Sequence, residues 1–256
     1  MNEIDLSQFD ANEVLQTEFV DEYDAGMKYF FSELVELNTI LFIVAKIIEF
    51  PFDTFSSPHG NIFFTMVMKC FYNHVILQLS KLVTDTSSDF YSLRQFKNNI
   101  RQAVRPEYCD KFDKLLREMQ FNQKFSEFDE LIRDLRNNVI AHVSKDYLFE
   151  GKKFKRPNIK QIKNLRDILN QLLDVLSFNV DRLMLPIPYS KRIQRQNKIT
   201  EKTDIDEILD CIAKNSVILN LPEKNPTSWN YTKNGLSPSV LQQINEYRRK
   251  FGLPDV

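Results

Sequence analysis

Five glycines in 256 residues constrain this chain more than any other feature. Antiparallel sheets need turn residues at short intervals, whereas long helices with few connections do not. Apolar residues make up 43% of the chain and aromatics 12%, enough for a dry core and too much for disorder. An all-α fold follows.

Helical periodicity and breaker residues set the expected elements. A long helix is expected from about Asn12 to Phe50, interrupted at Ala25-Gly26, and Pro51 to Gly60 breaks it. From Asn61 to about Thr84 a second helix is apolar on most of its surface, which places it at the centre of a bundle. A loop, Asp85 to Asp89, leads to helices near Ser92–Val104 and Pro106–Gln120. Ser126 can cap a helix running to Val143, with Phe128, Leu131, Ile132, Leu135, Val139 and Val143 on one stripe. A lysine-rich segment precedes a helix from Ile159 to about Leu185, closed by Pro186 and Pro188. After it come a helix near Asp204–Leu219, a polar loop over 222–235 and a last helix from Ser237 to Phe251. The expected organisation is a bundle over 1–186 with a C-terminal helical appendage over 187–256.

Net charge is −1, but it is unevenly spread: residues 1–50 sum to −9 and residues 150–202 to +8. Such a chain can bind phosphate locally without being basic overall, although any one cluster can equally be a solvated face. Cys70, Cys109 and Cys211 are far apart and odd in number, which fits reduced thiols, two of them as small core residues. The start is acidic, unlike a secretory signal, and the apolar stretch Asn38–Phe50 carries Lys46 and Glu49 and is too short to span a bilayer. A cytoplasmic protein with no membrane partner is expected.

One constellation carries chemistry. The helix over 126–143 ends in Arg136-Asn137 and, five residues later, His142. On an ideal helix Arg136 and His142 stand roughly 120° and about 9 Å apart, so one helix cannot aim both at one atom. A second copy brought up by a two-fold axis can, which predicts a homodimer with a shared site. Two plainer roles stand beside this. His142 can cap carbonyls at a helix C-terminus, and Arg136 can pair with Asp129 or Glu130.

Arg136-Asn137 followed by His142 resembles the signature of the HEPN superfamily: an arginine, a polar residue, a few residues and a histidine. The stretch Leu77 to Asp85, with Asp89 and Leu93 after it, is similar to the matching helix end and loop of the abortive-infection, AbiU-like branch. The similarity covers about residues 10–185. It implies a four- or five-helix bundle, a homodimer, and metal-independent endoribonuclease activity in toxin or phage-defence systems, with an antitoxin or regulatory partner. Two departures are visible: five residues separate Asn137's neighbour Arg136 from His142, where four is more usual, and Ser144 stands where some HEPN toxins have a tyrosine.

The residue types suit that chemistry. RNA supplies its own 2′-hydroxyl nucleophile, His142 can take and return a proton near neutral pH, and Arg136 can clamp the scissile phosphate with Asn137 assisting. The products would carry 2′,3′-cyclic phosphate and 5′-hydroxyl ends. Lys152, Lys153, Lys155 and Arg156, interleaved with Phe154, could hold single-stranded RNA or form a mobile polar loop. No metal or cofactor is expected: there is no Gly-rich phosphate loop, no cysteine pair, and the histidines are dispersed. His59 reads as an exposed loop residue and His74 as a hydrogen-bonded core residue. The competing functions are a HEPN module without catalysis that binds RNA, nucleotide or a protein partner, and a helical interaction protein with a coincidental motif.

Overall fold

The computed structural model describes residues 6–56, 58–83, 91–140, 148–150, 153, 155–178 and 203–256. Among these no strand forms, and the architecture is an all-α, HEPN-like helical bundle. The first long helix, α1, spans Val20–Glu49, starting later than Asn12. A short helical turn, Ala11–Val14, precedes it, because the chain there leaves the helix to pair with Val104. Gln16 N donates to Ala103 O at 2.8 Å and Arg105 N to Val14 O at 2.9 Å. The Arg105 guanidinium fixes the same segment through Leu15 O and Asn12 O, each at 2.8 Å.

Ala25-Gly26 does not interrupt α1. Gly26 is there because the ring of Phe96 lies against it; an added Cβ would meet the ring at 2.4 Å. The glycine serves close packing, not a break.

Helix α2 spans Pro58–Val83, so Pro58 opens the helix and His59 lies in its first turn rather than in a loop. Its C-terminal half is core, with Val75, Ile76, Leu79, Leu82 and Val83 buried. By length and composition alone, Ile62–Val83 is apolar enough to cross a membrane, and in this respect it exceeds Asn38–Phe50. Only 22% of its apolar window is buried, and Ile62, Phe63 and Met66 are exposed, so the N-terminal half of α2 is not enclosed as the expected centre of a bundle would be.

Helix α3, Leu93–Ala103, opens on a reciprocal cap in which Ser92 Oγ accepts from Gln95 N and Ser92 N donates to Gln95 Oε1. Helix α4, Pro106–Met119, begins with proline at its first position and ends where Gln120 turns left-handed. Helix α5, Phe121–Leu135, starts five residues before the expected cap; Ser126 sits inside it and donates to Gln123 O. Helix α6, Ile159–Leu176, is capped by Asn158 and stops short of Leu185. Tyr23 fixes that end: its hydroxyl donates to Leu176 O and accepts from Phe178 N, both at 3.0 Å. Pro186 and Pro188 lie outside the described residues.

Helices α7 (Asp204–Asn215), α8 (Val217–Lys224), α9 (Pro226–Asn234) and α10 (Pro238–Lys250) complete the chain. The expected polar loop over 222–235 is thus largely helical. Asn225 caps α9 through Ser228 N at 3.0 Å with Pro226 at its first position, and Trp229 is buried.

The chain divides into two compact units: Met1–Leu41 with Tyr72–Tyr189, and Phe42–Phe71 with Ser190–Val256. Residues 42–71, placed with the bundle on sequence grounds, therefore share a unit with the C-terminal helices. The first unit is built on Phe30, Leu34, Leu37, Ile76, Leu79, Phe96, Phe125, Leu169 and their neighbours. The second gathers Phe50, Phe55, Leu209, Leu219, Trp229 and Ile244. At its centre Arg248, with no exposed surface, donates to Leu219 O and Pro254 O at 2.6 Å each and pairs with Glu223.

Two further expectations change. Cys70 and Cys211 are exposed and only Cys109, half-buried, packs against the core, so one thiol rather than two acts as a small core residue. His74 is also exposed, with Nε2 3.1 Å from Glu36 Oε1: the charged partner lies on α1's outer face, which draws the ring out of the core.

Gly26→Ala should lower stability by about 1–3 kcal/mol through displacement of the Phe96 ring. In an open helix the same change stabilises. A urea melt decides between them, and increased stability in the variant would show that the ring does not press on α1.

Candidate active site at the meeting of α2 and α5

Helix α5 buries Phe121, Phe125, Ile132 and Leu135, the stripe that sets which way its end points. Beyond Leu135 the backbone widens into a π-type turn over Arg136–Ile140. Such turns re-aim side chains that a regular helix would leave on its periodic track, and they are frequent at functional sites. Here the turn carries Arg136, Asn137 and Asn138. Asn138 folds back, its Nδ2 donating to Asp134 O at 3.0 Å.

Arg136 is half-buried and held from two sides. Its Nε donates to Asn137 Oδ1 at 2.9 Å. One terminal nitrogen donates to Ser80 Oγ at 3.0 Å. Ser80 has no exposed surface and lies near the end of α2. Asp129 and Glu130, the plain partners considered for Arg136, do not take it. Asp129 instead pairs with Arg133 at 3.1 Å, one turn further along α5, and with Arg94 of α3 at 3.5 Å.

Ser80 belongs to a buried polar end of α2. Gln78 Nε2 donates to Glu33 O at 2.9 Å, and Lys81 reaches Glu33 Oε1 at 2.8 Å while lying over the Tyr29 ring. The stretch Leu77–Asp85, quoted above only for its resemblance, thus supplies a direct partner to the motif arginine. Nothing in the sequence assigned Ser80 that role. The one available signal was a small hydroxyl at a buried position of a very apolar helix, and a buried polar atom requires a partner.

His142 and Lys152 lie outside the described residues, so the site's geometry here is that of Arg136, Asn137 and Ser80. Lys153, Lys155 and Arg156 are exposed. Arg156 stacks over the ring of Tyr72, 6.0 Å from its centroid, and Tyr72 Oη donates to Pro157 O at 3.3 Å. Arg136 and Arg156 therefore each touch α2, one at Ser80 and the other at Tyr72, positions about 12 Å apart along the helix axis. Among the described residues no group of His, Cys, Asp and Glu is arranged to hold a metal ion.

The family model for AbiU2-type HEPN domains matches residues 55–196, more than half of the chain. The chain belongs to the HEPN AbiU2 family. The matched span holds the end of α2 with Ser80, the π turn with Arg136 and Asn137, His142, and Lys152 to Arg156. It begins at residue 55 rather than near residue 10, so all of α1 lies outside it, although α1 as far as Leu41 packs in the core of the first unit. No curated protein and no solved structure matches the chain.

Ser80→Ala should cost this HEPN protein about 1 kcal/mol in urea unfolding, the ordinary worth of one net hydrogen bond. No change in stability would indicate that the guanidinium finds an equal partner without α2.

Proposed function

We propose that this HEPN AbiU2 protein is an endoribonuclease of toxin or phage-defence type, acting as a homodimer in the cytoplasm. The observation that carries the reading is the fixation of Arg136 by Ser80 and Asn137 in a π turn, within the family's matched span. A guanidinium held by Ser80 and Asn137 has lost most of its rotational freedom. That is the preorganisation on which stabilisation of a developing negative charge depends.

In the proposed reaction the 2′-oxygen of a ribose attacks the adjacent phosphorus and the bond from phosphorus to the 5′-oxygen breaks. His142 takes the proton of the 2′-hydroxyl. The departing 5′-oxygen is protonated by the imidazolium of the second copy of the motif, which ends neutral as the first ends protonated, so charge and protons balance. Arg136 neutralises the charge that grows on the non-bridging oxygens, with Asn137 holding its Nε. The nucleophile is part of the RNA, so the step needs no metal to create one. Lys152, Lys153, Lys155 and Arg156 guide the strand by charge, Arg156 from its seat on Tyr72. An antitoxin or regulatory protein is expected to restrain such an activity.

Incubation of the purified protein with single-stranded RNA in EDTA should give fragments with 2′,3′-cyclic phosphate and 5′-hydroxyl ends. His142→Ala should slow cleavage by roughly 10²- to 10⁴-fold, the usual contribution of a general acid or base. Cleavage at the wild-type rate by His142→Ala, or none by the wild type, would overturn the assignment.

A further inference from the structure

Between the two arginine seats on α2 lies a face of the helix that the proposed reaction leaves unused. Asn73, Leu77 and Ser80 recur at four and three residues, so they stand on that one face. Arg136 closes it at the Ser80 end. Arg156, seated on Tyr72, flanks its other end beside Asn73. Helical rise puts Leu77 about 4.5 Å and Asn73 about 10.5 Å from the level of Ser80. All of these residues belong to the first compact unit.

The two side chains between the seats are open where their neighbours are closed. Val75, Ile76, Gln78 and Leu79 are buried, whereas Leu77 keeps 40% of its surface and Asn73 is half-buried. His74, next round the helix, is turned to Glu36 of α1. Among the described residues none hydrogen-bonds the Asn73 amide. A half-exposed leucine offers an apolar floor to the face of a nucleobase. An amide beside it offers the base edge one acceptor and two donors. A strand held at Arg136 and at Arg156 passes over both. Stacked nucleotides advance about 3.4 Å along a strand and extended ones more, so the 12 Å or so between the seats admits at most about three.

We infer that Asn73 is a specificity-determining residue that reads one adenine of the RNA, within about three nucleotides of the phosphate at Arg136, with Leu77 beneath the base. Adenine presents a donor and an acceptor side by side at N6 and N7, the pattern that both polar atoms of an asparagine amide meet together. Guanine offers two acceptors on that edge, which suit a cation, and the pyrimidines offer a single polar group each. The inference rests on the ribonuclease reading in taking RNA as the ligand, but selection of the base does not require that the strand be cut.

Fluorescence anisotropy tests this with short labelled oligouridylates, plain or carrying a single adenosine, guanosine or cytidine. The full chain is used as His142→Ala, so that no strand is consumed, alone and combined with Asn73→Ala or Arg156→Gln. Asn73 holds no partner among the described residues, so its substitution should leave the fold intact, which thermal melts verify. The adenosine strand should bind roughly fivefold to a hundredfold tighter than the other three, the worth of one bidentate base contact, and this ratio should fall to about one in Asn73→Ala. Arg156→Gln should weaken all four strands alike and keep the ratio, because phosphate contacts carry no base information. Equal affinity for the four strands, an adenosine advantage that survives Asn73→Ala, or no binding of any strand overturns the inference. Cleavage of the same strands by the wild type is read separately. Adenosine selection through Asn73 without cutting removes the nuclease and keeps the base site, whereas cutting without base preference does the reverse.

Discussion

A guanidinium at the edge of an apolar core must find acceptors for the N–H groups it turns inwards. Arg136 meets that requirement through Ser80 Oγ on α2 and Asn137 Oδ1 beside it. The first of these bonds ties the ends of two helices that lie 56 residues apart in the chain. Several features become intelligible from it. The end of α2 carries buried Gln78 and Ser80 where apolar residues would pack equally well, and the α5 backbone widens just where the arginine must turn towards α2. Leu79 and Leu82 on α2, with Ile132 and Leu135 on α5, bury both helices around the bond and hold its geometry.

The contrast with the rest of α5 is informative. Asp129 and Arg133 stand four residues apart on α5, whereas Arg136, just past its end, lies seven residues from Asp129 and six from Glu130, outside i, i+4 reach. Arg133 does pair in this way, whereas Arg136 does not. Arg133 is half-exposed and its ion pair is worth a fraction of a kcal/mol, while Arg136 is half-buried and reaches the hydroxyl of Ser80 on another helix.

Much of this was legible in the residues, and the failures have physical causes. Ser92, Pro106 and Ser237-Pro238 marked helix starts correctly, because caps act within one turn and need no distant partner. Ala25-Gly26 was misread as a break, because only the distant Phe96 explains the glycine. The end of α6 was overrun, since Tyr23 stops it from another helix. The polar stretch over 222–235 looked like a loop although Asn225-Pro226 is itself a start signal; its few apolar residues, led by Trp229, are enough to anchor α9. In the site, the motif singled out Arg136 and Asn137, but the role of Ser80 was not visible in it. A hydrogen bond across 56 residues leaves no local spacing to read.

The most direct test of the arginine's fixation is its own Nε–H group, observed in ¹⁵N–¹H spectra and assigned by its loss in Arg136→Lys. A fixed guanidinium gives a resolved signal with slow solvent exchange and an order parameter close to that of the rigid backbone, falling in Ser80→Ala. A signal that exchanges rapidly and is as mobile as those of surface arginines, with Ser80 intact, would contradict it.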